Sequence, residues 1–445
     1  MGRRLRGQAV RRGQMVWQVT GRAIVSRGGR LIFLLLALGA ALLALSCSST
    51  TDELHVYSSV PLQGSGAKEN QTVVNAIRMA LNEHGGKAGN FRIKYISLDD
   101  STKAKGKWDA AQETKNARQA AADPLAIAYI GTINSGAAKV SIPILDRVQL
   151  AMVSPANTYP GLTKSSGALA SEPYIYYPLG PSSQNFCRVL PSDDLQGAAG
   201  AAYAQKVLGV KSVYVLDDTE LYGHGIATIF AAKASELKLN LLGGPEGIET
   251  RTGPQYSQAR MQTAQKVVAA KPDLVYFGGA TENHPGELLN DLRKLGYRGP
   301  FMGPDGIDQS EFVDEANAGG QQAGTVYATL PGLPAEKLTG AGAAWYQKYT
   351  QQYGDTGQYT HYAYEAMNVV LDAIAKAGNI NPKTGKADRA AVLATIRQDK
   401  NVQGILGTWS FDEHCDTTLT AISVNDLTNG KFQYKELAPV IQPGQ

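Results

Sequence analysis

Hydrophobic and polar positions along this chain keep switching between the period of a strand and the period of a helix. Residues 55–61 form a short apolar run. Residues 71–84 then place Val74, Ile77, Ala80 and Leu81 at helical spacing, and Gly85-Gly86 stops the helix. Residues 91–98 alternate as a strand, 108–122 read as a helix, 126–130 as a buried strand, 136–148 as a helix and 150–153 as a strand. Strands separated by single helices predict a parallel sheet covered on both faces.

The alternation restarts after residues 186–190. Helices at 195–208, 223–237, 257–270 and 285–295 interleave with strands at 212–216, 239–242, 274–277 and 300–302, which predicts a second α/β lobe. A strand at 325–330 leads into helical segments at 341–353, 362–377 and 387–399. Short β runs follow at 406–411, 421–424 and 432–437, with Asn429-Gly430 as a tight hairpin turn. At 445 residues the chain is long enough for two lobes of ordinary size. The expected class is α/β, with two Rossmann-like parallel-sheet lobes.

Composition changes this picture at one end only. Hydrophobic residues make up 43% and charged residues 18%, values that fit a soluble globular body. The formal net charge is +4, yet residues 1–46 hold eight arginines and no acid; without them 35 basic residues face 39 acidic ones, so the body is acidic. The basic balance therefore belongs to the leader and implies no nucleic-acid partner. An Arg-rich stretch followed by the uncharged apolar run 31–45 reads as an export signal, being shorter than the roughly 20 residues of a membrane span. The run ends in Leu43-Ala44-Leu45-Ser46-Cys47, which resembles a bacterial lipobox and marks Cys47 for lipidation after cleavage. The other reading is an uncleaved N-terminal anchor. Either one puts the body outside the cytoplasmic membrane. The remaining cysteines, Cys187 and Cys415, form one disulfide or stay as two buried thiols, and their spacing does not choose between these.

In open parallel sheets, ligands bind beyond the carboxyl ends of the strands. The turns there carry Gly131-Thr132-Ile133-Asn134-Ser135, Ser154-Pro155-Ala156-Asn157-Thr158 and Gly303-Pro304-Asp305-Gly306. Ser135 and Thr158 offer hydroxyls, and a following helix start offers free N–H groups, so together they suit a carboxylate. Asp305 suits an ammonium group, and the set would clamp a zwitterion. Taken singly, each residue has a plainer role: Ser135 or Thr158 as a helix cap, Asp305 as a turn residue, Tyr222 as packing. The six histidines are scattered, and no HExxH, GxSxG, Walker-type or CxxC motif is present. No cofactor, metal or catalytic constellation is expected.

In chain order the turns 131–135 and 153–158, Ser192-Asp193-Asp194-Leu195-Gln196-Gly197, Asp218-Thr219-Glu220-Leu221-Tyr222-Gly223-His224-Gly225, 275–279 and 301–306 resemble the type I periplasmic binding proteins. The branch they resemble is the leucine/isoleucine/valine-binding one. The resemblance runs from about residue 53 to about 437 and implies two lobes joined by three crossovers, near 187–189, 328–331 and 409–411. It implies residues 53–188 and 329–408 for lobe 1, 189–328 and 409–441 for lobe 2, a signal peptide at 1–46 and a lipid-anchored linker at 47–52. Both remaining cysteines would then lie near the hinge.

The resemblance also implies a site. Ser135, the Ala156 backbone and Thr158 would hold a ligand carboxylate, Asp305 an ammonium, with Tyr222 beside it. The expected protein is a monomeric, lipid-anchored binding component of an ABC importer, working with membrane permease subunits on an amino acid or amide. A sensor for a signalling partner is the alternative. Gly64-Ser65-Gly66 and Ala280 stand where the branch often carries aromatics, so the side-chain pocket is expected to be remodelled.

Overall fold

The computed structural model describes residues 52–249 and 254–439; the leader, Cys47 and the last six residues lie outside the described residues. Two sheets organise the body. The first runs in the order Lys87–Ala88, Phe91–Asp99, Glu53–Val60, Ala126–Gly131, Ala151–Ser154 and Phe186–Arg188. It is parallel except for its short antiparallel edge at Lys87–Ala88. The second runs Asn240–Gly247, Ser212–Asp217, Leu274–Gly278, Phe301–Gly303, Val326–Pro331, Ile422–Thr428 and Lys431–Leu437. Its first five strands are parallel and its last two antiparallel. Asn429 and Gly430 turn the final hairpin with φ of 52° and 75°, the left-handed pair such a two-residue turn needs.

Alternate side chains point to opposite faces of a strand, and here both faces are buried. In the first sheet Val56 and Ile130 join one core layer with Val74, Ile77 and Met367, while Tyr57 and Tyr129 join the other with Ile142 and Met152. In the second, Leu216 and Phe277 pack with Leu288 and Phe312, while Val215 and Tyr276 pack with Ala227 and Phe230. The Phe230 and Tyr276 rings stack with centroids 3.7 Å apart. In each sheet the chain starts on an inner strand, goes to one edge and crosses back. The reversal falls between Glu53–Val60 and Ala126–Gly131 in the first sheet, and between Ser212–Asp217 and Leu274–Gly278 in the second. These are the positions where such sheets open a crevice for ligands.

After Val326–Pro331 the helices Ala341–Tyr353, Thr360–Ala377 and Arg389–Arg397 return to the first lobe, burying Trp345, Met367, Ile374 and Leu393 in its core. Trp409 and Phe411 join the same core, and the Trp409 indole N–H donates to Glu365 Oε1 at 2.8 Å. Cys187 and Cys415 are both buried and joined by a disulfide, their Cα atoms 4.7 Å apart. Beside it Arg188, fully buried, donates from Nε to Asp416 Oδ1 at 2.7 Å. Its Nη1 donates to the carbonyls of Asn157 at 3.1 Å and Tyr159 at 3.0 Å, and its Nη2 to Thr163 Oγ1 at 2.5 Å.

The boundaries differ from the periodicity in two informative places. Residues 107–108 form a small ribbon with Ser101–Thr102, and the helix begins at Ala110 because Asp109 caps it, accepting from the Ala111 and Gln112 amides at 2.8 and 3.0 Å. The segment 164–183 is built from 3₁₀ turns and firmly pinned. Glu172 accepts from the Tyr159 hydroxyl at 2.6 Å and the Leu169 amide at 2.9 Å, and Asp146 accepts from the Leu179 amide at 3.0 Å. Tyr176 and Tyr177 point inward, while Leu169, Tyr174, Ile175 and Leu179 are exposed. Among the described residues no helix is long and apolar enough to cross a membrane.

Candidate functional site

The strand-to-helix turns of both sheets meet around one cavity of about 50 Å³. Ile133, Asn134, Ser135 and Ala156 line it from the first lobe, and Tyr222, Ala280, Thr281, Glu282 and Gly306 from the second. Tyr359, which precedes the returning helix Thr360–Ala377, closes one side. The lobes are bridged at the rim: Asn134 Nδ2 donates to Glu282 Oε1 at 2.7 Å, Lys107 pairs with Glu220, and the Trp108 indole N–H donates to Glu220 Oε2 at 2.9 Å.

Ser135 is the first residue of the helix Ser135–Asp146 rather than its cap, a position held by Asn134. Its oxygen accepts from the Tyr159 amide at 3.4 Å, which leaves the hydroxyl proton for an acceptor in the cavity. The helix start places positive dipole and amide donors at the same wall. Ala156 lines the cavity, and its amide donates to Ser154 Oγ at 3.2 Å. Thr158 is buried just behind: its carbonyl accepts from the Asp193 amide at 2.9 Å, and its hydroxyl lies by the Asp193 carboxyl.

On the second-lobe wall, Asp305 sits beneath two tyrosines and is 1% exposed. Its Oδ1 accepts from Gln196 Nε2 at 2.7 Å and from the Tyr222 hydroxyl at 2.6 Å, and its Oδ2 accepts from the Tyr359 hydroxyl. Burial pushes the Asp305 carboxyl up, and these three donors pull it back. Burial, then the neighbouring Asp305, hold Asp193 well above the usual carboxylate range, and neither Asp193 oxygen has a partner with hydrogen-bond geometry. Gly306 lets this turn close: a Cβ there would meet the Gly279 carbonyl at 2.4 Å and the Tyr222 ring at 3.0 Å. Glu282 is the carboxylate that lines the cavity directly. Burial and the charge of Glu220 push it up to about 8. On the far side of Tyr359 lies a second cavity of about 190 Å³, lined among others by Glu69, Asp308 and Gln358.

Ser135, Ala156 and Tyr222 thus share one cavity, whereas Thr158 and Asp305 stand behind its wall. Gln196, Asp193, Glu282 and Tyr359 were not singled out by sequence. The first two lie in the Ser192–Gly197 stretch that carries the resemblance, which was signal enough to have named them. Tyr359 carried no local signal, since a returning crossover delivers it.

Two α/β lobes joined by three crossovers, with the strand-end turns of both meeting over a polar cavity, are the architecture of a solute-binding protein. The sequence model of a family described as periplasmic binding protein matches residues 58–425, and the chain belongs to that family. It is similar to an amino acid binding protein of Pseudomonas aeruginosa, 26% identical over 360 residues that cover 80% of this chain and 84% of the relative. It is also similar to the Leu/Ile/Val-binding protein BraC3 of Rhizobium johnstonii, 26% identical over 381 residues covering 84% and 91%. The crystal structure of the leucine binding protein LivK from Thermotoga maritima shares the fold with a TM-score of 0.70 at 23% identity, covering 86% of this chain and 98% of that one. These matches place the chain in the branch that includes the branched-chain amino acid binders.

Proposed function

We propose that this protein captures a small zwitterionic ligand, an amino acid or a close relative, outside the cytoplasm and presents it to the permease of an ABC importer. The observation that carries the reading is the pairing of walls across one cavity: a helix start with the Ser135 hydroxyl on the first lobe, and the tyrosine-covered Asp305 on the second. Ser135 and the helix-start amides hold the ligand carboxylate, with Ala156 lining the cavity beside them and Thr158 supporting that wall from behind. Asp305 is the anionic centre on the ammonium side, set behind Tyr222 and Tyr359. A carboxylate offers about four acceptor sites, and three donors leave one over. The names of the relatives from Pseudomonas aeruginosa and Rhizobium johnstonii support an amino-acid ligand.

Closure of the lobes buries the zwitterion, and the closed form is what the permease reads; the ligand biases a hinge equilibrium. The moving bodies follow the two sheets: residues 53–188 with the returning helices, Trp409 and Phe411 form one, and the strands from Ser212–Asp217 to Val326–Pro331 with the hairpin 422–437 form the other. Residues 1–46 are the signal peptide and 47–52 the linker, with lipid on Cys47 holding the body, a monomer, at the membrane. Stripped of ligand by unfolding and refolding, the protein is expected to gain thermal stability from at least one amino acid, since a ligand at 100 times its Kd adds about 2.7 kcal/mol. Asp305→Ala should weaken calorimetric affinity for that ligand tenfold or more, about 1.4 kcal/mol. An unchanged affinity would sink the clamp, and no stabilisation by any amino acid or amide would sink the reading as a whole.

A further inference from the structure

The cavity is lined by polar groups where a branched-chain side chain would need hydrocarbon. Asn70, Asn134, Thr281, Glu282 and Gln309 face it, against Ile133, Ala156, Ala280 and the rings of Tyr222 and Tyr359 on the less polar side. No aromatic covers it at Gly66 or Ala280. Glu282 is the decisive group. Among the described residues it receives a single hydrogen bond, from Asn134 Nδ2 at 2.7 Å. Behind it stand Glu220 and Asp218, both close enough to raise the cost of its charge. The neighbouring cation, Lys107, is engaged by Glu220 and by Asn283 Oδ1, the latter at 2.6 Å. Asp218 is spoken for by the Asn283 amide group at 2.7 Å and the Ala280 and Glu220 amides, both at 3.1 Å.

An aliphatic ligand side chain placed against this wall would seal Glu282 from water with one donor, and the group would then take up a proton rather than keep a buried charge. A cationic group there would satisfy the free acceptor sites and offset the surplus of acids in one step. We propose that the ligand side chain ends in a cationic nitrogen that pairs with Glu282, so that the cleft selects basic amino acids over branched-chain ones. This rests on the amino-acid reading above and names the class within it. Glu282 is then a specificity-determining residue: the zwitterion is held elsewhere, and this carboxylate chooses the side chain.

Calorimetry on the ligand-stripped full-length body at pH 7, with 2,4-diaminobutyrate, ornithine, lysine, leucine, isoleucine and glutamine, tests it. At least one diamino acid should bind ten times more tightly than leucine, isoleucine and glutamine. In Glu282→Gln, which keeps the Asn134 hydrogen bond, that preference should fall below threefold while leucine binds no worse. Leucine, isoleucine or glutamine binding as tightly as the best diamino acid to the wild-type protein overturns the proposal without any variant. So does a preference that survives in a folded Glu282→Gln. Binding of none of the six overturns the proposal, and the amino-acid reading falls with it only if the thermal screen shows no stabilisation by any amino acid or amide.

Discussion

Arg188→Met strikes the hinge at its most buried charge. The guanidinium is fully enclosed and makes four hydrogen bonds: to Asp416, to the carbonyls of Asn157 and Tyr159, and to Thr163. Methionine fills much of the same volume but removes the cation. Asp416, whose side chain is 6% exposed, is left with the Thr163 hydroxyl at 3.1 Å and Lys164 Nζ at 3.4 Å. Breaking one side of such a pair typically costs about 3–5 kcal/mol, because the surviving charge stays buried. The stranded Asn157 carbonyl adds to that cost, while the Tyr159 carbonyl keeps the Leu162 amide at 3.3 Å. Equilibrium unfolding in urea, followed by far-UV circular dichroism, should show this loss. Adding Asp416→Leu should recover most of it, since the uncompensated charge is gone. Ligand affinity should fall in the single variant as well, because the two carbonyls flank Thr158 in the loop assigned to the ligand carboxylate. A loss below about 1 kcal/mol, or a double variant less stable than the single one, would refute the account of this pair.

Glu69→Gln should flatten part of the pH dependence of stability. Burial pushes Glu69 from 4.5 up to about 7, so the folded protein holds a proton that the unfolded chain releases as pH rises. Stability is therefore lost between about pH 4.5 and 7, by at most about 3 kcal/mol from this group. The variant should melt higher than wild type at pH 8 and equally at pH 4; a lower melting temperature at pH 8 counts against it. Asp308, pushed up to about 7 by burial, acts in the same window, so the variant removes only a share of the slope. Cys47→Ala should move the protein from the membrane fraction to the soluble one in cells that process lipoproteins, and equal membrane retention of the variant would rule out the lipid anchor.

The periodic segments were legible because each strand is a short apolar run between two helices, and burial on both faces writes that pattern into the sequence. Residues 341–353 were read to the residue as the helix Ala341–Tyr353, where Trp345 and Tyr349 mark the buried stripe. The cavity wall was legible where it comes from turns at strand ends, as with Ser135 and Ala156. It was not legible at Tyr359, which lies 54 residues from the Asp305 it contacts and reaches it through a crossover. Nor was it legible at Glu282, whose role depends on Asn134 from the other lobe, 148 residues away. The segment 164–183 carries no strand or helix period in the sequence. Its pinning rests on Glu172, whose partners Tyr159 and Tyr176 carry no pattern that sequence spacing alone exposes.

The bond between Cys187 and Cys415 spans 228 residues of chain. Covalently, the molecule is a ring with two tails: the ring holds most of the second sheet and all three returning helices, and the tails are residues 1–186 and 416–445. A protease that cuts once inside the ring opens it but frees nothing. Both pieces stay attached through the hinge, and the break shows only after reduction. A cut in either tail, by contrast, severs the chain outright. Surface loops between the crossovers can therefore be nicked, or lengthened over evolutionary time, without the two lobes coming apart.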